Sequence, residues 1–112
     1  MIVEQRVYTL KPGKTGEYLS LYRAEGLLVQ TRHLGTPIGY YSAEVGTLNQ
    51  IIHMWGYADL NERAARRAAL YADPDWQHLV PRLFAMIERM ENSILTPAPF
   101  AVPQSSKLLP ES

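Results

Sequence analysis

A histidine within an alternating, aromatic segment is the side chain best suited to chemistry in this sequence. Every second position from Asn49 lies on one side of a predicted strand, and these positions include His53, Trp55 and Tyr57. An imidazole beside a phenol, an amide and a guanidinium in a partly dry cavity can polarise a carbonyl group or abstract an acidic proton. We therefore predict that His53 is the catalytic residue if the protein is an enzyme.

Five further side chains are predicted to bind a ligand near His53. They are Arg6, Tyr8, Asn49, Trp55 and Tyr57. Arg6 could bind a carboxylate bidentately, or it could pair with Glu4, which lies on the same face of its strand. The aromatic rings could line a pocket or pack in a dimer interface. Asn49 could contact a ligand or stabilise the neighbouring turn.

His53 itself has three possible roles. It could act in a small-molecule pocket, which predicts a cavity of a few hundred cubic ångströms beside it. It could instead be a buried histidine that is hydrogen-bonded across a dimer interface. A third possibility is axial ligation of a haem. The nearby Arg63, Arg66 and Arg67 are expected to form a solvated helix face with Glu62, with an anion site as the alternative.

Several kinds of site are excluded by what the sequence lacks. The chain has no cysteine, so thiol nucleophiles, thiolate metal sites and disulfides are excluded. No two histidines share a ligand-like spacing with a carboxylate, and no phosphate loop, nucleophile elbow or dinucleotide fingerprint is present. We therefore expect no metal and no cofactor.

Length and composition indicate one ordinary globular domain. The 112 residues are 46% hydrophobic, and eleven basic side chains balance eleven acidic ones, so nothing favours binding to nucleic acid. No segment approaches the roughly 20 apolar residues of a membrane span. We expect a soluble, cytoplasmic domain over residues 1–100, followed by a loosely ordered extension over residues 101–112.

The first half of the chain predicts a strand, a helix and a hairpin. Alternation predicts a strand over residues 2–10, and three- and four-residue spacing predicts a helix from about Thr15, its N-cap, to His33. Gly26 within that helix indicates a close packing contact. Strands over residues 37–45 and 48–57 would be joined by Gly46-Thr47 in a type II′ turn.

The second half predicts two capped helices and a last strand. Asp59 and Glu62 resemble a capping box that starts a helix ending at Ala72, and Asp73-Pro74 starts another. The apolar stripe of this second helix runs from Trp76 to Met90, with a kink or restart expected at Pro81. Residues 92–96 form the predicted last strand.

This order predicts an α+β, ferredoxin-like fold, βαββ(αα)β, with a four-stranded antiparallel sheet and helices on one face. The smooth apolar face with Val3, Val7, Ile52 and Met54 is expected to meet the helices. The opposite face would then expose a large aromatic patch to water, which predicts a homodimer packed sheet to sheet. That patch would comprise Arg6, Tyr8, Ile51, His53, Trp55 and Tyr57.

Spaced residues along nearly the whole chain form a longer pattern. It consists of Glu4-x-Arg6-x-Tyr8-x-Leu10-x-Pro12-Gly13, then Gly46-x-x-Asn49-x-x-x-His53-x-Trp55-x-Tyr57-x-Asp59-Leu60-x-x-Arg63, then Asp73-Pro74-x-Trp76 and Pro97-x-Pro99-Phe100. This pattern resembles the NIPSNAP family. The resemblance implies a dimeric α/β-barrel but no agreed activity. The wider superfamily includes cofactor-free monooxygenases, isomerases, cyclases and haem-handling enzymes, so it does not select a reaction.

Overall fold

The computed structural model describes residues 1–104 and contains a four-stranded antiparallel sheet with helices on one face. The strands are β1 (Ile2–Leu10), β2 (Gly39–Ser42), β3 (Gln50–Tyr57) and β4 (Ile87–Leu95). The helices are α1 (Thr15–Leu21), α2 (Leu27–Leu34), α3 (Leu60–Ala72) and α4 (Pro74–Phe84). A single π-helical turn, Tyr22–Gly26, joins α1 to α2. The predicted fold class is therefore confirmed.

Strand order and register bring the central residues of the sheet into one row. The order is β2-β3-β1-β4, so β1 and β3 lie in the middle. Tyr40 of β2 pairs with His53 of β3, His53 pairs with Arg6 of β1, and Arg6 pairs with Asn92 of β4. Side chains directly opposite one another lie on the same face of a sheet. This row crosses the helix-covered face.

The prediction of which face meets the helices was wrong. Tyr8, Ile51, Trp55 and Tyr57 are buried in one core cluster with residues of the helices, such as Leu70. No helix of residues 1–104 covers the face with Val7, Ile52 and Met54, and these side chains are absent from the core cluster. Aromatic side chains with polar tips suit a helix-facing core when those tips find partners inside it. These aromatic side chains are therefore buried within the domain and do not indicate a dimer.

The expected close contact at Gly26 is confirmed. A Cβ atom at this position would lie 2.8 Å from Tyr22 Cδ2 and 3.0 Å from Leu79 Cδ2. Only glycine lets the end of the π turn approach α4 so closely. The π turn also sets the direction of Tyr22, which packs over the sheet.

The boundaries of several elements differ from the predicted ones. Strand β4 begins at Ile87 instead of residue 92, because the chain leaves α4 after Phe84 and Ile87 pairs with Leu10. The apolar residues beyond Phe84 continue the helical spacing by coincidence. Helix α4 runs through Pro81 without a restart. Lys14, not Thr15, is the N-cap of α1.

The connection between β2 and β3 is also longer than the predicted two-residue turn. It covers residues 43–49 and contains two left-handed backbone positions, at Gly46 (φ 115°) and Asn49 (φ 62°). Most of the predicted extension, residues 105–112, lies outside the described residues. No helix within residues 1–104 is both long and apolar enough to cross a membrane.

Candidate functional site

One hydrogen bond determines which nitrogen of His53 carries the proton. Trp55 Nε1 donates to His53 Nδ1 at 2.7 Å, and both side chains are buried. An indole nitrogen can only donate, so Nδ1 must be the acceptor. The neutral imidazole therefore carries its proton on Nε2. That nitrogen is buried and has no hydrogen-bond partner among the described residues.

Aromatic rings of the same chain enclose the imidazole. Tyr40 stacks on His53 with 4.8 Å between ring centroids, and Tyr8 meets it edge-on at the same distance. Tyr22, from the π turn, stacks on the other side of Tyr40. His53 thus lies between the sheet and the helices of its own chain, which differs from the alternative of a histidine hydrogen-bonded across a dimer interface.

Burial keeps His53 uncharged. Desolvation, reinforced by the positive charge of Arg6 and opposed by Glu4, lowers the pKa of His53 from 6.5 to about 3. The same desolvation raises the pKa values of Tyr8, Tyr22 and Tyr40. At neutral pH the site therefore contains a neutral imidazole among protonated phenols.

A small cavity borders this cluster, between the sheet and all the helices. The sheet and the first helical segment contribute Tyr8, Tyr40, His53, Tyr18, Tyr22 and Gln30. Helices α3 and α4 contribute Arg67, Leu70, Tyr71, Trp76, Leu83 and Phe84. The cavity together with its open mouth measures about 370 Å³, but the space that water molecules can enter is only about 20 Å³.

The smaller of these volumes is the one that limits a ligand, since the larger includes open solvent. It holds one or two water molecules, which is less than the predicted pocket. A haem does not fit in this conformation. Tyr71 and Phe84 are each 41% exposed, so they form the side of the cavity nearest to solvent.

A buried carboxylate organises the neighbouring part of the sheet. Glu4 Oε2 accepts hydrogen bonds from Arg63 Nη2 at 2.6 Å, Asn92 Nδ2 at 3.0 Å and Arg6 Nη1 at 3.1 Å. Burial alone would raise the pKa of Glu4, but these partners outweigh it and lower the pKa to about 2. Arg6 thus forms the expected pair with Glu4, and its Nε also donates to the Tyr8 hydroxyl at 2.8 Å.

The predicted ligand-binding residues have different positions relative to the cavity. Tyr8 lines it together with His53. Arg6 and Trp55 contact these two residues without lining it. Tyr57 is buried beside Arg66, whose guanidinium lies 6.0 Å from its ring centre. Asn49 lies in the connection before β3, where its backbone oxygen accepts from Leu10 N at 2.8 Å.

The three arginines of α3 do not form the expected solvated face. Arg63 reaches the buried Glu4, Arg66 pairs with Glu62 and donates to the backbone oxygen of Leu34, and Arg67 lines the cavity. Helix α3 therefore turns its basic side toward the sheet. The reversed assignment of the sheet faces explains why this was not anticipated.

Sequence reasoning missed most of the cavity wall. Trp76 begins the apolar stripe of α4 and also lines the cavity, where its indole nitrogen has no partner among the described residues. Tyr18, Tyr22 and Tyr40 were not selected, because their helix and strand positions are compatible with ordinary core packing. Only the structure reveals the π turn that contains Tyr22, and such turns often occur at functional sites.

The family model described as NIPSNAP matches residues 3–102 of this chain. The chain belongs to the NIPSNAP family. It is 50% identical to a NIPSNAP family protein of known structure from Agrobacterium tumefaciens, with a TM-score of 0.87 over 89% of this chain and 95% of that one. An uncharacterised NIPSNAP-like domain protein from Burkholderia xenovorans is 42% identical, with a TM-score of 0.93 over 99% of this chain and 97% of that one.

The curated relatives are longer proteins. Protein NipSnap homolog 3B from Mus musculus is 38% identical over 94 residues, which are 81% of this chain and 37% of the mouse protein. The chain spans 19% to 41% of the length of the first such relatives.

A more distant structure shares the fold alone. A protein described as an antibiotic biosynthesis monooxygenase from Nitrosomonas europaea is 11% identical, with a TM-score of 0.64 over 87% of this chain and 98% of that one.

Proposed function

We propose that this NIPSNAP domain binds a small organic molecule in the cavity beside His53. The observation that supports this most directly is the buried Nε2 of His53, which lacks a partner at a cavity wall. A buried donor without a partner costs about 1–3 kcal/mol. A bound molecule would offset that cost, and it would enter by displacing Tyr71 or Phe84.

The two tryptophans of the chain offer a direct test of this proposal. Trp55 donates to His53 and Trp76 lines the cavity, so the spectrum of a ¹⁵N-labelled sample has two indole N–H signals, both at the site. We expect saturable shifts of the Trp76 signal when a library of anionic, neutral and cationic aromatic fragments is titrated. A library in which no fragment moves this signal would contradict the proposal.

A cofactor-free reaction on the bound molecule is the second candidate function. Nε2 of His53 can donate a hydrogen bond to a carbonyl oxygen, or to the oxyanion that develops from it, as an enolising or oxygenating enzyme requires. The opposite role, as a general base, needs a proton-free nitrogen toward the ligand. Since Trp55 occupies Nδ1, we propose His53 as a hydrogen-bond donor. A carbonyl substrate whose α-proton exchanges with deuterium in wild type but not in His53→Ala, with solvent as the base and Nε2–H stabilising the enolate oxygen, would support such a reaction.

We also propose that the domain forms a homodimer through the face of the sheet that no helix covers. Register places Tyr41, Ile52 and Val7 side by side on this face, and Tyr41 is 55% exposed. Leu95, at the β4 end of the face, is 41% exposed. A second copy packed with twofold symmetry would bury this apolar surface.

A cytoplasmic location, expected from the absence of cysteine, stays a prediction.

A further inference from the structure

Several donor groups that line the cavity lack an acceptor among the described residues. Nε2–H of His53 is fixed as a donor by the bond from Trp55 to Nδ1. The indole N–H of Trp76 has no acceptor among residues 1–104. Because Arg6 Nε donates to the Tyr8 oxygen, the proton of that phenol remains available. A ligand that fits these groups must supply acceptors.

The charge around the cavity is positive. Neither aspartate nor glutamate is among its lining residues, whereas Arg67 is. Within the described part of the chain Arg67 has no carboxylate partner, and its guanidinium lies 5.5 Å from the ring centre of Tyr71. The buried carboxylate of Glu4 is already bound by Arg6 and Arg63. The unpaired cation favours an anionic ligand.

Flat rings form the walls and restrict the shape of the ligand. Tyr40 and His53 stack with their planes 21° apart, and Tyr22 and Tyr40 do the same. Tyr71 and Trp76 complete the wall toward the helices. A planar ring packs against such surfaces more readily than a branched aliphatic chain does, because ring faces pack by offset stacking.

We propose that the cavity selects a planar organic acid, whose carboxylate or phenolate oxygen accepts a hydrogen bond from His53 Nε2 and whose charge is balanced by Arg67. This proposal rests on the proposed binding function and names its ligand class. His53 is then a binding residue that recognises oxygen, and Trp55 is the positioning residue that fixes its tautomer.

The tautomer of His53 can be measured without a ligand. Long-range ¹⁵N–¹H correlation spectra of the imidazole distinguish a proton on Nε2 from one on Nδ1. We expect the Nε2–H form in wild type and a mixture of forms in Trp55→Phe, which retains the ring and loses the donor. A proton on Nδ1 in the wild-type protein would overturn the proposal.

The ligand class is tested with three probes of similar size: benzoate, benzyl alcohol and benzylamine. Titrations that follow the Trp76 indole signal are expected to give a Kd for benzoate at least about tenfold lower than for the other two. Arg67→Gln should remove about tenfold of benzoate affinity. The matched control Arg23→Gln changes an exposed arginine away from the cavity, and it should leave the affinity unchanged.

Two results would overturn this assignment. Equal or tighter binding of benzyl alcohol or benzylamine, or an Arg67→Gln protein that binds benzoate like wild type, contradicts the ligand class while the binding function stands. If no fragment of any charge moves the Trp76 signal, the ligand class and the proposed binding function both fail.

Discussion

At the scale of single residues, the site depends on one buried carboxylate and one buried imidazole. Glu4 accepts hydrogen bonds from two arginines and an asparagine, and one of those arginines also holds the Tyr8 hydroxyl. Arg6 lies directly opposite His53 in the sheet. The position of the Tyr8 ring against His53 therefore depends on Glu4, although Glu4 does not line the cavity.

Glu4→Gln is expected to destabilise the domain by about 3 kcal/mol, because it leaves Arg6 and Arg63 without their buried counter-charge. Chemical denaturation measures this loss. Glu25→Gln is the matched control, since Glu25 forms an exposed pair with Arg82 on the surface. A Glu4→Gln protein as stable as the control would show that the network contributes nothing to folding.

The same carboxylate determines behaviour in acid. Above its ordinary pKa of 4.5, Glu4 is charged in both the folded and the unfolded chain, so its contribution is complete. Between 4.5 and its folded value of about 2, the unfolded chain takes up the proton first, and stability is lost as the pH falls. Between pH 5 and pH 2, the free energy of unfolding should therefore fall less steeply with pH in Glu4→Gln than in wild type. Chemical denaturation at several pH values measures this.

His53 affects the free energy of unfolding at a higher pH than Glu4 does, so the two contributions can be measured separately. The unfolded chain protonates this histidine near pH 6.5, whereas the folded chain resists protonation down to about pH 3. Stability should therefore fall as the pH drops below 6.5, by at most about 1.4 kcal/mol per pH unit. Between pH 6.5 and 4.5 this slope should be smaller in His53→Gln and unchanged in His78→Gln, whose side chain is exposed. Equal slopes in all three proteins would contradict a buried neutral His53.

At the scale of elements, the π turn between α1 and α2 places Tyr22 over the sheet. Gly26→Ala is expected to cost about 1–3 kcal/mol, because the new methyl group meets both Tyr22 and Leu79. Gly16→Ala in α1 is the control: its Cβ meets open space, and the substitution should stabilise by about 0.5 kcal/mol. Thermal unfolding of the two variants checks the difference. A tolerated Gly26→Ala would show that α4 can move away from the turn.

The order of the elements could be predicted from the sequence, but the orientation of the sheet could not. Alternation and capping residues predicted the order of strands and helices, because these signals are local to each element. Alternation separates the two faces of β3 but does not say which one the helices cover, since Tyr, Trp and His suit a wet face as well as a core with internal hydrogen bonds. The hydrogen bond from Trp55 to His53 could have been predicted, because positions two apart on a strand lie on the same face.

The cavity could not be predicted in the same way. Its wall combines residues from all the helices and three strands, and their meeting depends on the packing of elements far apart in sequence. Arg67 and Trp76 illustrate why the cavity wall could not be predicted from local patterns. Each has an ordinary local explanation, as a surface charge and as a core residue, and only tertiary structure brings the two to one cavity.

At the scale of the whole molecule, the uncovered face of the sheet is the predicted dimer interface. Ile52→Glu places a charge at its centre and is expected to yield monomers, because a buried unpaired carboxylate is costly. Leu28→Glu is the control, since Leu28 is 63% exposed on α2, on the other side of the sheet. Sedimentation velocity distinguishes the two outcomes. A wild-type protein that sediments as a monomer at all accessible concentrations would contradict the dimer.

The proposed binding site depends on single residues and on whole elements. Glu4 and Trp55 position the rings, the π turn completes the wall and the helices close the cavity. Its most direct test is a crystal structure of the wild-type protein soaked with benzoate. The account predicts density for the ring between the helices and the sheet, with a carboxylate oxygen within hydrogen-bond distance of His53 Nε2. A well-ordered structure at saturating benzoate that contains only water beside His53 would contradict it.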